Sequence, residues 1–423
     1  MRAAGMAGAE AREGAGAERF ERAALESDWR LAEASELLRF LLHVTPTNTE
    51  DAWRRFAASG YAVAPELEYR PLPCKLDRVE ECLERAPVDE VRDSTVAGIL
   101  LEKRGELGDK LMMLRDRGTE RFLAASLRVY GGVEEELVEL AKRLLYRLPA
   151  EAGSEPVQGR LDAAAFAARA ERELAHYRRL HPEFAAHVQV SRDVPPSLMV
   201  SGDRLLIGAG THIPKRRAKA LIHHEIGTHL VTRFNGSLQP LHLLGCGLAG
   251  YDVLQEGLAV VAEYLVGGLN RGRFRILAGR VLAVRCLTVG ATFQEAFHEL
   301  EDRFGFGSRS AFTIVTRVYR AGGLTKDAVY LRGLVELLGY LAGKAPAEGS
   351  GPDEPAELDR VGPLLVGKIA LRHVPAVREL LGRGLLRPPA LIPRYLETEE
   401  ARERLAFLRQ GASLLDLLDR RRP

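Results

Sequence analysis

Residues 221–230 read Leu-Ile-His-His-Glu-Ile-Gly-Thr-His-Leu, so three of the chain's 11 histidines lie within seven residues, beside one glutamate. Zinc takes imidazole and carboxylate ligands, and a catalytic site leaves its fourth position to water. The common helical pattern is HExxH, which sets two histidines four residues apart on one face. Here His224 and His229 are five apart, giving HExxxH. At about 100° per residue, five residues end roughly 140° from the starting face. A regular helix therefore cannot bring both rings to one ion. A π-type turn, with its i to i+5 hydrogen bonds, restores a shared face, and such turns cluster at functional sites. Gly227 lies between the two histidines, where distorted backbone is easiest to accommodate. The spacing predicts such a turn, with His224 and His229 as ligands and Glu225 as general base. His223 is six residues from His229 and has no glutamate directly after it, so it is assigned a packing or supporting role.

A third ligand is expected downstream. Glu256 sits among Leu254, Leu258 and Val260, where a carboxylate is costly to bury unless it is paired or binds a cation. With two histidines it completes a His₂Glu set, one of the standard catalytic zinc sets. Glu263, seven residues further on, is the other acid within reach. It fits a ligand or a partner that orients a histidine.

These words carry a family resemblance. HHEIGTH, ending at His229, is followed by QEGLA, opening at Gln255, and the pair is specific. The chain resembles the QEGLA-motif family of tyrosine/phenylalanine carboxypeptidases, relatives of the microtubule-associated tyrosine carboxypeptidases of animals. Similar stretches include Leu198 to Gly208, Gly247 to Ala259 and Thr316 to Gly333, and the likeness is strongest over about 190–345. The resemblance implies one Zn²⁺ on His224, His229 and Glu256, Glu225 as the catalytic glutamate, and release of a C-terminal aromatic residue. The partner is then a protein or peptide C-terminus. Nothing in the N-terminal stretch reads as a microtubule-binding segment, so a substrate other than tubulin fits better. The family's other label, as modulators of flavohaemoglobin expression, keeps a non-catalytic regulatory role in play. A zinc endopeptidase using the same residues is the second alternative.

A carboxypeptidase must also hold a terminal carboxylate, for which Arg and Lys are the natural partners. Residues 316–330 offer Arg317, Arg320, Lys326 and Tyr330, the last also as an oxyanion donor. Lys215, Arg216 and Arg217, just ahead of the histidines, read as a solvated charge run.

The elements that must position these groups are mainly helical. Apolar residues recur at helical spacing over 20–42 and on through 150, with a short extended piece at Leu72 to Leu76. A helix is expected from about Asp162 to Leu180, stopped by His181-Pro182. His187 to Val190 alternates as a strand does, and Ser197 to Val200 joins Arg204 to Ile207 through Gly202-Asp203 as a hairpin. The histidine helix then runs from Arg217 to Thr232 and closes at Asn235-Gly236. A Gly-rich loop over 244–250 leads to a helix from about Asp252 to Leu265, and further helices fill 271–345. The fold class is mainly α (α+β), a zincin-like helical catalytic domain with a small β-sheet. The expected organisation is a disordered 1–18, an N-terminal helical region to 156, a catalytic domain over 157–345 and a C-terminal helical region over 356–423, with flexible stretches at 151–156 and 347–355.

The 423 residues carry 60 basic against 58 acidic side chains, a net charge of +2. That balance is unlike the broad basic field of a nucleic-acid binder, and no nucleic-acid partner is expected. No apolar run is long enough to span a membrane. The N-terminus lacks an apolar secretory core. Cys74, Cys82, Cys246 and Cys286 form no CxxC pair and read as free thiols of a reducing compartment, so the expected location is cytoplasmic.

Overall fold

The computed structural model describes residues 20–72, 75–150, 159–192, 194, 197–343 and 358–419. The expectations for residues 1–18, the stretches 151–156 and 347–355, and Cys74 fall outside these. The architecture is mainly α with a small sheet.

Helix α1 (Arg22–Leu38) buries Ala24, Leu31 and Leu38 and also the charged Asp28. Asp28 is satisfied by three donors, since its carboxylate accepts from the backbone N–H groups of Leu243 at 2.9 Å and His242 at 2.6 Å and from the His242 ring at 3.0 Å. The expected continuation to residue 42 is broken at Arg39, whose φ of 39° ends α1, and one short turn follows over Phe40–His43. Of the extended piece expected over 72–76, residues 73 and 74 lie outside the described residues and Leu76 instead opens a helix (Leu76–Glu84), while the stretch 64–72 before it has no helix or strand. Helix α2 (Ser94–Arg115) starts at Asp93, whose side chain caps the Val96 N–H. Helices α3 (Arg121–Tyr130) and α4 (Glu135–Arg147) complete this part.

After the two-residue strand β1 (Arg160–Leu161), α5 (Ala163–Leu180) is capped by Asp162 and stops before Pro182. Strands β2 (His187–Ser191), β3 (Leu198–Ser201) and β4 (Arg204–Gly208) form one sheet in the order β2-β4-β3. The β3–β4 hairpin turns through Gly202-Asp203, with Gly202 at φ 61°, a conformation glycine reaches without penalty. β2 runs parallel to β4. The short β5 (Ile213–Pro214) pairs with β1.

The histidine helix, α6, is three runs without a break: Ala218–Ile222 as α-helix, His223–Leu230 as π-helix and Val231–Ser237 as α-helix. Its apolar residues Ile222, Ile226 and Leu230 pack into a second core with α5 and β4. The main core runs from Phe20 to Leu417 and joins the N-terminal helices to those that follow residue 240. A short turn at Leu243–Cys246 and glycines 247 and 250, both at positive φ, lead into α7 (Tyr251–Leu265). Then come α8 (Arg271–Thr288), α9 (Ser308–Tyr319), α10 (Val329–Leu341), α11 (Val374–Gly382) and α12 (Glu399–Arg409).

α7 and α10 touch backbone to backbone. A methyl group at Gly257 would sit 2.4 Å from the Gly333 carbonyl oxygen, and one at Gly333 would sit 2.0 Å from that of Val253. Gly257, beside Glu256, is therefore required by packing. Among the described residues no helix is long and apolar enough to cross a membrane.

Candidate metal centre

The five-residue spacing is met by local backbone geometry. The π segment starts at His223, and the Val231 N–H that closes it donates to the Ile226 carbonyl five residues back. Thr228 adds a side-chain bond, its hydroxyl donating to the His223 carbonyl at 3.2 Å. His224 and His229 end on one side, with ring centroids 5.1 Å apart and planes at 83°.

α7 packs against this side and brings Glu256 between the rings. Its Oε2 lies 3.6 Å from His224 Nε2 and 3.7 Å from His229 Nε2. One ligand atom from each of the three residues falls within 4.8 Å of the others. Two ligands about 2.0 Å from a tetrahedral ion are separated by roughly 3.3 Å, so these gaps are close to a zinc-sized set. Glu256 Oε2 is buried and has no hydrogen-bond partner among the described residues. A buried carboxylate oxygen left unpaired is costly, and a cation between it and the two imidazole nitrogens removes that cost. The donor set fits a metal ion.

The other atoms of these groups are already engaged. Lys326 Nζ donates to Glu256 Oε1 at 3.2 Å and pairs with Asp252 at 3.0 Å. Burial opposes the ionised form of Glu256, but Lys326 and the two histidines hold its carboxyl well below the usual range. His224 donates from Nδ1 to Glu263 Oε1 at 2.9 Å. A carboxylate only accepts, so Nδ1 carries the hydrogen and Nε2 is left free to bind a metal. Glu263 is itself fully buried between Arg217 at 2.6 Å and Arg273 at 3.1 Å. Burial lowers the His224 pKa, but the nearby Glu256 and Glu263 carboxylates outweigh it and raise it to about 9. The site thus attracts positive charge to the nitrogen that faces Glu256. His229 Nδ1 lies 3.5 Å from the Gln255 amide oxygen, which the Thr232 hydroxyl also reaches at 2.8 Å. Glu225 is buried, and its carboxylate makes no hydrogen bond among the described residues.

His223 points elsewhere. Its Nδ1 is 3.6 Å from Glu173, and its ring meets Tyr395 edge-on at 5.8 Å. Burial pushes its pKa down to about 4, helped by Lys219 and Arg394. Gly227 serves this side too, since a methyl there would lie 3.1 Å from the Tyr395 ring.

The segment expected to meet a substrate carboxylate is largely engaged within the fold. Arg317 makes a two-pronged pair with Asp327 at 2.6 and 2.8 Å. Arg320 is buried, bonds to Thr45 at 3.2 Å, and is lowered to about 10 by burial and by Arg317. Lys326 is committed to Asp252 and Glu256. The Tyr330 hydroxyl makes no hydrogen bond among the described residues, and burial with nearby Glu256 raises its pKa. Of the three-residue basic run, Lys215 and Arg216 are exposed. Arg217 departs from the expectation of a solvated charge, because it anchors Glu263 and also bonds to the Gly268 carbonyl.

Sequence reasoning missed a buried charge chain beside the site. Lys103 and Lys110 of α2 both bond to Glu106, at 2.8 and 3.0 Å, and Glu106 accepts from the Gly250 N–H at 2.7 Å. Glu106 and Lys110 stand four apart, which in sequence reads as an ordinary surface pair. Cys82, Cys246 and Cys286 are free thiols, as expected.

The chain belongs to the microtubule-associated tyrosine carboxypeptidase family, whose model matches residues 54–413 and so most of the described fold. None of the curated proteins compared with the chain matches it.

Proposed function

We propose that the protein is a zinc-dependent carboxypeptidase that releases a C-terminal aromatic residue from a protein or peptide. The observation that carries this is the unpartnered Glu256 oxygen between two imidazole nitrogens, with Glu225 uncommitted beside them. A structural zinc site is normally closed by four protein ligands, often cysteines. Here three groups converge, and no cysteine is among them.

When bound, zinc supplies Lewis acidity, which activates a water and polarises the scissile carbonyl. His224, His229 and Glu256 hold the ion. Glu225 takes the attacking water's proton and passes it to the leaving amine. Glu263 fixes the His224 tautomer, and Lys326 neutralises the Glu256 oxygen that faces away from the rings. Tyr330 is our assignment for the hydroxyl that steadies the developing oxyanion. Arg317 and Arg320 brace the segment that carries it. The family's description as tyrosine carboxypeptidases supports the aromatic preference and the peptide or protein partner in this reading.

The test pairs metal analysis with hydrolysis. Wild type should carry about one zinc per chain and cleave peptides ending in a free Tyr or Phe, but not their C-terminal amides. Glu225→Gln should retain zinc and lose about 10²- to 10⁴-fold in kcat. Wild type without zinc would reject the reading. Equal cleavage of free and amidated peptides would point to an endopeptidase.

A further inference from the structure

Next to the metal centre lies a cavity of about 360 Å³. Arg233 and Asp252 line it, and they stand four residues from His229 and Glu256 on α6 and α7 respectively. Arg233 and Asp252 thus stand about one helical turn, roughly 5.4 Å along the helix axis, from the candidate ligands.

Of the cations in its walls, Arg39 is exposed and Arg204 donates to the Gln189 amide oxygen at 3.3 Å, and among the less exposed ones only Lys368 lacks an acceptor among the described residues. Lys103 and Lys110 share Glu106. Arg233 donates to the Gly245 carbonyl at 3.3 Å and lies 3.7 Å from Glu36. Lys368 also lines the cavity, yet its ammonium has no carboxylate and no hydrogen-bond acceptor among the described residues. The ammonium stands 5.7 Å from the centroid of the Tyr251 ring. Lys103 and Lys110 stand 5.8 and 5.9 Å from that same ring.

The chain fixes Lys368 firmly. Its N–H donates to the Leu244 carbonyl at 2.8 Å, and its carbonyl accepts from the Leu248 N–H at 2.9 Å. The residue before it must be glycine, since a methyl on Gly367 would sit 2.7 Å from the Leu244 carbonyl oxygen. Holding an unpaired ammonium in a half-buried cavity is costly. Burial and Arg233 push its pKa down to about 8, with Asp252 and Glu256 near enough to oppose the drop.

We infer that Lys368 docks the terminal carboxylate of the residue to be released. This rests on the carboxypeptidase reading and supplies the cation that residues 316–330 do not leave free. In an extended peptide the scissile carbonyl and the terminal carboxylate flank a single residue, and successive Cα atoms are about 3.8 Å apart. One such step plus a hydrogen bond is of the order of the helical turn between the lining residues Arg233 and Asp252 and the candidate ligands, and Glu256 is close enough to act electrostatically on Lys368.

Binding of N-acetyl-tyrosine and N-acetyl-tyrosinamide to the full, zinc-loaded chain tests this by calorimetry, without relying on turnover. Wild type should prefer the acid, and Lys368→Met should bind the acid about 10- to 100-fold more weakly while leaving the amide unchanged. Lys368→Arg should keep the preference. Should Lys368→Met not fold, wild type still decides, because N-acetyl-tyrosine should shield Lys368 from an amine-directed label read by mass spectrometry. No preference in wild type, an unchanged preference in Lys368→Met, or no shielding each overturns the inference. Acid-selective binding by a protein that cleaves no peptide would sink the enzymatic reading and leave the docking site standing.

Discussion

His223 and His224 are neighbours in sequence and opposites in environment. One faces Glu173, Arg394 and Tyr395 and is pushed down to about 4. The other faces Glu256 and Glu263 and is pulled up to about 9. The residue type is the same and burial is similar, at 7% and 6% exposure. What differs is the acid supply on each side. Glu173 has Arg394 at 3.1 Å and holds His223 only at 3.6 Å, so it does little to favour a charged ring. Glu263 lies at hydrogen-bond distance from His224, and Glu256 offers an oxygen with no other partner. A histidine's chemistry is set by which acids converge on it, and one step along a π turn is enough to change them.

The largest expected effect comes from deleting each ring in turn. His224→Ala should reduce zinc from about one per chain to none after dialysis, and hydrolysis should vanish with it. His223→Ala should keep its zinc. Loss of metal from both would mean that the two rings serve the metal alike. A smaller effect is expected from the supporting acids. Glu263→Gln should weaken zinc binding about 10- to 100-fold, read by competition with a chelator, whereas Glu173→Gln should leave it unchanged. Equal losses would mean that both sides serve the metal. The smallest effect concerns the glycine between the rings. Gly227→Ala presses on Tyr395 and should cost about 1 kcal/mol in denaturant unfolding, with zinc content preserved. Loss of zinc there would show that the two faces are coupled through the backbone.

Much of this centre was legible in the sequence, because helical geometry is local. The count from His224 to His229 excluded a regular helix and required the π turn that His223–Leu230 adopts. An acid set among Leu254, Leu258 and Val260 asked for a cationic partner, and two imidazoles face it. Glu263 was left open between two roles, and its distance to His224 Nδ1 assigns it to support. The hairpin followed from Gly202-Asp203. What stayed hidden depended on distant contacts. Arg217 looked like part of a solvated run because Glu263 is 46 residues away. The pairing of Arg317 with Asp327 could not be told from two separate charges. Lys368 had no signal at all, since the role proposed for it depends on a cavity lined by segments near residues 40, 105, 200, 233, 250 and 368.

That shared cavity bears on where the chain can be divided. Lys103, Glu106 and Lys110 belong to α2, and Glu106 fastens Gly250 at the entrance to α7, while Asp28 ties down residues 242 and 243. A shortened protein starting at residue 157 would keep every proposed zinc ligand and lose a wall of the cavity that Lys368 lines. If that cavity receives the substrate as proposed, variation in the first 130 residues should appear as altered selectivity, even though none of them is among the proposed ligands.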